Sequence, residues 1–433
     1  RMDDVTENVL KGYTPDMTEE QRDELVKKNS QALIEEATKE GNGLRATVEA
    51  LYYGNQYFLF LYREYADVRL VGAPPSSIGK FGGDTDNWMW PRHTGDFSMF
   101  RIYADKEGNP AAYSKENVPL STPKHLNISI AGFDYGDFAM IMGFPGSTSR
   151  YLTADEVKQR MYQKNEPRIA MRDLSLKVIR EEMEKSEDIN IKYASKLARI
   201  SNYWKNSIGM NKAIIDNKVI ETKLQEEAAF KAWAQSIGNS EYANVVEQIN
   251  KCVGEMNRAQ YLTMLVNELV GNVEFFSRNL SDRNKNMFDT PEKVGEKMQS
   301  LYSWLHNRDY VHNIDRRIAK ELLPLYYKLT KPEERDAYLN EIEKKYKGNL
   351  AKYIDEVYDN SILASEKNLN KFLKKPTLKN FEKDPAQKLR TAILATQSKL
   401  SSQNAEFVKR INPWGGSSGP FWRGWQPVQQ EIS

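Results

Sequence analysis

Cysteine is almost absent: Cys252 stands alone among 433 residues, so no disulfide can form within the chain. It lies in the helix-like run VVEQINKCVGEM, where a small buried hydrophobe is expected rather than a reactive thiol. Such a cysteine-poor chain suits the cytosol and the periplasm equally. Charge of one sign is also lacking, with 62 Lys and Arg against 60 Asp and Glu. A net charge of +2 gives no field to draw nucleic acid or an anionic membrane surface. No apolar run reaches the length of a membrane-spanning helix. The opening RMDDVTENVL has neither the basic start nor the apolar stretch of a signal peptide, and reads as part of something longer. Histidine is scarce too. His93, His125, His306 and His312 show no HExxH spacing, and the last two would leave one helix from different faces. Asp84 and Asp86 in GDTDNW hint at a calcium loop, but Trp88 falls on a ligand position and Met89 where glycine is needed. No metal and no cofactor is expected.

What is present divides into two kinds of sequence. A capping box, Thr18 with Gln21, announces a helix over DELVKKNSQALIEEA. After it, residues 46–142 carry strand signals. ATVEALYY and QYFLFLYREY flank Gly54-Asn55, a two-residue hairpin signal. ADVRLVGAP, DFSMFRIYA, HLNISIAG and FAMIMGFPG follow as short apolar or alternating runs. Short strands between turn signals suggest a barrel or sandwich, here incomplete. GFPGSTSR has the look of a phosphate loop without its GK[ST] ending, and is expected to be a strand-to-helix turn.

From a second capping box, Thr153 with Glu156, the pattern turns helical. Breaks near Pro167, Gly238, Pro291, Pro332, Pro376 and Pro385 divide it into about eight to ten helices of ordinary length, without a fixed repeat. The tail PWGGSSGPFWRGWQPVQQEIS matches neither half, and its Gly-Ser runs are not expected to continue a helix. It reads as a flexible tail or a foreign linker.

One stretch stands apart. Phe81 to Tyr103, FGGDTDNWMWPRHTGDFSMFRIY, packs glycines, two Trp, Asn, His, Asp and Arg into a loop that enters a strand. Polar and aromatic groups on a loop held by a sheet are where binding and catalysis concentrate. Asp96, just ahead of the alternating FSMFRIY, suits a buried carboxylate that orients a histidine. Asn87 and Trp88 offer an amide and a flat wall for a ligand amine.

The run GKFGGDTDNWMWPRHTGDFSMFR resembles the signature of the bacterial dipeptidyl peptidase 7 and 11 family of periplasmic serine exopeptidases. AMIMGFPGSTSRYLT and KYASKLARISNYWKNSIGMN are similar to it as well, and the likeness runs from about residue 1 to 410. The resemblance implies an α+β fold: part of a chymotrypsin-like β-barrel peptidase domain over 1–150, then a large all-helical cap domain over 151–410. Residues 411–433 form the atypical tail. It implies release of dipeptides from the free N-terminus of peptides, without cofactor or metal, in the periplasm, and it allows a homodimer. Asp96 would be the triad aspartate. Asn87 would bind the free α-ammonium with Trp88 beside it, and Asn202 of SNYWKN would reach the same amine.

The departures concern the rest of the triad. By the resemblance, the catalytic histidine lies upstream of this motif and the nucleophilic serine in a GGNSGSP-like turn after the helices. The chain is therefore expected to lack both, and His93 is not the base. GGSSGP faintly echoes the serine turn and nominates Ser418, but no apolar strand follows it, so a linker serine is the alternative. The rival function is a peptide module that holds free N-termini without cutting them. The preference for the residue before the cut, acidic or hydrophobic, is not legible in this chain.

Overall fold

The structure, a computed structural model, describes residues 1–14, 16–39, 43–51, 54, 56–89, 91–140, 152–277, 288, 290–307 and 309–415. Among these the chain divides into two units, one holding 1–83 and 92–140, the other 84–91 and 152–414. The chain thus joins the helical unit for a few residues at 84, returns to the first unit at 92, and joins the helical unit again at 152.

The first unit opens with β1 (Met2–Asp4), the one-turn helix α1 (Thr6–Val9) and α2 (Glu19–Ala37). Thr18 and Gln21 close the expected capping box, each side chain bonding the other's backbone N–H. β2 (Leu44–Leu51) and β3 (Gln56–Arg63) pair antiparallel from Leu44↔Arg63 to Leu51↔Gln56. Of the connection between them only Gly54 is among the described residues, and it takes a positive φ of 80°; Asn55, the other half of the hairpin signal, lies outside them. β1 adds to the other edge of β3, giving the order β1-β3-β2. Alternate residues of the pair, Ala46, Tyr57 and Leu59, face inward onto Val5 and Val9, with Leu33 and Ile34 of α2 packed against them.

β4 (Val68–Gly72), α3 (Ser76–Gly79), β5 (Lys80–Phe81) and α4 (Gly83–Asp86) lead into the crossing; β6 (Gly95–Asp96), β7 (Met99–Ala104) and β8 (Val118–Pro119) follow it. They form two further small sheets, β4-β7-β8 and β5-β6. Asp67 is buried beside this region, and its carboxylate takes two hydrogen bonds from Arg69 and one from Asn117. No closed barrel forms among the described strands. HLNISIAG, expected as a strand, is irregular and bare, with Leu126, Ile128 and Ile130 over four-fifths exposed. Its alternation is a strand pattern, but an edge to pair with is needed to make it one. FAMIMGFPG is irregular as far as Met140; the rest of it and the whole of GFPGSTSR lie outside the described residues.

The second unit is helical throughout. Thr153 and Glu156 form their capping box ahead of α5 (Ala154–Gln159). α6 (Glu166–Met183), α7 (Glu187–Asp216), α8 (Val219–Ser236) and α9 (Ser240–Asn272) follow. Next come α10 (Glu274–Ser277), α11 (Pro291–Leu305), α12 (His312–Leu329) and α13 (Ala337–Lys345). α14 (Leu350–Asn360), α15 (Glu366–Leu373), α16 (Leu378–Phe381) and α17 (Pro385–Gly415) complete it.

The expectation of ordinary helices fails for α7, α9 and α17, which run 30, 33 and 31 residues. Pro167 is no break either. A π turn at Arg160–Asn165 carries the backbone from α5 into α6, where Pro167 sits in the first turn and needs no N–H bond. α17 runs on through Gly415, past the residue where the tail was expected to begin, and residues 416–433, Ser418 with them, lie outside the described residues. Gly238, Pro291, Pro332, Pro376 and Pro385 do mark helix ends or starts. Cys252 is buried in α9 as expected. His306 caps the end of α11 and His312 opens α12, so they do not share one helix and their rings come within 6.2 Å. Among the described residues no His, Cys, Asp or Glu group can hold a metal ion, and no helix is long and apolar enough to cross a membrane.

Candidate substrate-binding site

α7 is the platform. Ser186 caps its start by accepting the Ile189 N–H at 3.4 Å, and Glu187 and Asp188 complement the helix dipole in its first turn. Its middle is held by a buried ionic cluster. Glu268 of α9, 5% exposed, accepts from Arg168 Nε at 3.2 Å, Arg172 Nε at 2.7 Å, Arg172 Nη2 at 3.2 Å and Asn272 Nδ2 at 2.9 Å. The same arginines reach α7: Arg172 donates to the Ile200 carbonyl at 2.9 Å and Arg168 to Ser207 Oγ at 3.3 Å. They also lie over the ring of Tyr203, 5.7 and 5.3 Å from its centre. The carboxylate shared by two guanidiniums is tolerated in a core because its charge is paired and its lone pairs are filled, while the arginines keep partial access to water. Its effect is to fix residues 200–207.

Onto that stretch the crossing segment docks. Ser201, fully buried, donates to Asp84 Oδ2 at 2.7 Å. Lys205 Nζ donates to the carbonyls of Asp84 and, at 3.0 Å, Thr85. Asn202 Oδ1 accepts two hydrogen bonds, from Asn87 Nδ2 at 3.0 Å and from the Trp88 indole N–H at 2.9 Å. Trp88 itself sits at a φ of 58°, a left-handed conformation that costs a bulky residue about 1–2 kcal/mol. Strain of this kind persists where surrounding contacts enforce it, and such places are often functional.

The sequence-derived trio Asn87, Trp88 and Asn202 is therefore one cluster, joined across 115 positions of chain. The detail differs from the expectation. Asn202 does not offer its oxygen openly, since both neighbours already occupy it. With Asn87 Nδ2 committed to Asn202, the Asn87 oxygen is the amide acceptor left for a ligand. The indole of Trp88 is about half exposed beside it. An acceptor next to an aromatic face suits a small cation such as an α-ammonium.

Asp96 stands elsewhere in the chain's organisation, in the first unit. It pairs with Lys80 in the two-stranded β5-β6 ribbon and is exposed, not buried as anticipated. No hydrogen bond reaches its carboxylate among the described residues, because a two-residue strand brings no layer over it. His93 is exposed as well. Three residues escaped the sequence reading: Asp84, Ser201 and Lys205. Asp84 was weighed only as a calcium ligand, yet its carboxylate binds a serine. The i, i+4 spacing of Ser201 and Lys205 beside Asn202 was the available signal, since it puts both on one helix face.

Residues 1–414 match the family model for peptidase S46. The chain belongs to the peptidase S46 family. Among curated S46 relatives, it is 49% identical to dipeptidyl-peptidase 7 of Phocaeicola vulgatus over 86% of this chain and 52% of that one. It is 35% identical to an Asp/Glu-specific dipeptidyl-peptidase of Porphyromonas gingivalis, over 93% of this chain and 58% of that one. The crystal structure of Porphyromonas endodontalis DPP11 in complex with dipeptide Arg-Glu is similar with a TM-score of 0.86 at 32% identity, covering 99% of this chain and 62% of that one. The chain thus spans little more than half the length of the curated relatives it matches.

Proposed function

We propose that the protein to which this chain belongs is a serine-type dipeptidyl peptidase, and that the α7 cluster is its receptor for the substrate's free N-terminus. The observation that carries this is the shared acceptor Asn202 Oδ1, which commits the Asn87 Nδ2 and the Trp88 N–H to one point and leaves the Asn87 oxygen as the amide acceptor beside a half-exposed indole. A pocket made to satisfy an ammonium group rejects a blocked terminus, whose acyl group fills the site and leaves the acceptor unpaired. Fixing the amine also fixes which bond can be cut, the one after the second residue.

The chemistry would be acyl transfer. A serine hydroxyl attacks the second residue's carbonyl carbon, and a histidine takes its proton. Backbone N–H groups hold the oxyanion, the shortened peptide leaves as an amine, and water releases the dipeptide. In this reading Asp96 holds the histidine's tautomer and supports the imidazolium. Its exposure in the present chain fits that role only once an imidazole stands against it. Resemblance to the dipeptidyl peptidases supports the assignment, and supports placing histidine and serine in sequence outside residues 1–414. The same resemblance supports a chymotrypsin-like barrel, a periplasmic location and a homodimer. The exposed Leu70 and Phe100, paired across β4 and β7, are apolar side chains of the kind that a closed barrel would bury.

The test uses the full-length protein and paired reporters that differ only in Nα-acetylation, with hydrophobic or acidic second residues. The free reporters should be cleaved and the acetylated ones left intact. Equal turnover of both would remove the amine receptor from the account. No turnover of any reporter, with free peptides still bound, would favour the non-catalytic module.

A further inference from the structure

Segment 84–91 lies with the helical unit, yet it is short, and its described residues are half-buried to exposed, with none in a core. Something other than burial must hold Asn87 and Trp88 at Asn202. We propose that Ser201 and Lys205 are positioning residues of the site: they clamp the start of the segment to α7 and so set the amide and the indole in place. This rests on reading the cluster as the receptor for a free amine.

The clamp has two jaws one helical turn apart on α7. Ser201 has no exposure to solvent and gives its proton to Asp84 Oδ2 at 2.7 Å. Lys205 gives its ammonium protons to the backbone carbonyls of Asp84 and Thr85. Those carbonyls belong to the one-turn helix α4, which is too short to satisfy them itself, and a cation at a helix C-terminus also meets the dipole favourably. Farther along α7, the Trp88 carbonyl oxygen approaches Gly209 so closely that a Cβ there would stand 3.4 Å from it. The segment is thus held at Asp84, at Thr85, at the Asn87 amide and at the Trp88 indole, with the left-handed turn of Trp88 enforced between fixed ends. The interactions of Ser201 and Lys205 are made with the segment, so their effect on an amine passes through the Asn87 oxygen and the Trp88 ring.

A positioning role and a merely structural one differ in what they move. In the full-length protein, Ser201→Ala and Lys205→Met should raise KM for free dipeptidyl reporters about tenfold while kcat stays within about threefold. Lys205→Arg keeps the charge and the donors, and should bring KM most of the way back. The thermal midpoint should stay within a few degrees of wild type, because the clamp lies at the rim of the helical core. Unchanged KM in both Ser201→Ala and Lys205→Met overturns the proposal, as does Lys205→Arg performing no better than Lys205→Met. Should Lys205→Met fail to fold, Ser201→Ala decides alone. If the clamp variants leave KM unchanged while the wild type still rejects acetylated reporters, the clamp is wrong and the amine receptor survives. If the wild type accepts acetylated reporters, the receptor reading falls and the clamp with it.

Discussion

Glu268→Ala is the most informative perturbation of the helical unit, because one carboxylate is the shared ion-pair partner of two guanidiniums there. The side chains of Arg168 and Arg172 are 21% and 15% exposed, against 6% for Glu268. Removing the anion leaves both cations poorly solvated and deletes four hydrogen bonds at once. Loss of one partner from a buried ion pair costs about 3–5 kcal/mol, and partial solvent access to the arginines favours the lower end, about 3 kcal/mol. For a helical unit of this size, that corresponds to a fall of roughly 6–12 °C in the unfolding midpoint. Circular dichroism at the helix band, followed on heating, reads it directly. Glu268→Gln, which keeps two acceptor sites and an isosteric shape, should lose less. A third variant separates burial from charge: Arg168→Met, Arg172→Met and Glu268→Leu together remove every charge, and should recover much of the loss. Because Arg172 and Arg168 hold Ile200 and Ser207, Glu268→Ala in the full-length protein should also raise KM for dipeptidyl reporters if the α7 cluster is the proposed amine receptor. A midpoint within about 2 °C of wild type would refute this account of the cluster.

Burial pushes the Asp315 carboxyl up to about 6, although the Tyr358 hydroxyl and the N–H groups of Phe275 and Glu274 pull the other way. The folded state then binds the proton more tightly than the unfolded chain, so this residue's contribution to stability falls as pH rises through about 4 to 6 and is level on either side. The gap of about two pH units is worth up to ~3 kcal/mol, and Asp315→Asn should lack that slope; parallel stability–pH curves for variant and wild type would contradict it. At Asp67 the sign is opposite. The hydrogen bonds from Arg69 hold its carboxyl down at about 2, so its contribution is present above about 4 and disappears as pH falls toward 2. Asp67→Asn should flatten acid unfolding of the first unit between those values, and an unaltered acid limb would argue against the pairing. In the full-length protein, Asp96→Ala should lower kcat by about four orders of magnitude with KM nearly unchanged, and retention of the parent rate would dismiss its triad role.

Local signals were reliable where the physics is local. Both capping boxes formed, because Thr18 with Gln21 and Thr153 with Glu156 satisfy each other inside one turn. The β2-β3 hairpin formed because its alternating residues share one apolar face. The signal at HLNISIAG was equally clear and produced no strand, since pairing requires an edge that alternation cannot supply. Pro167 misled for the converse reason. A proline is a local obstacle, but a π turn just before it absorbs the missing bond.

The sequence by itself determined the two kinds of chain, the separation near Thr153, and the loop in which Asn87 and Trp88 lie. It also carried the motif by which S46 membership could be anticipated. Only the tertiary structure decided that 84–91 travels with the helices and that Asn202 serves both Asn87 and Trp88. The burial of Ser201 against Asp84 and the approach of His306 to His312 were likewise settled there. Periodicity and capping report interactions within about four residues. The contacts that build the site join residues more than a hundred positions apart, and depend on how long helices pack once their buried charges are paired.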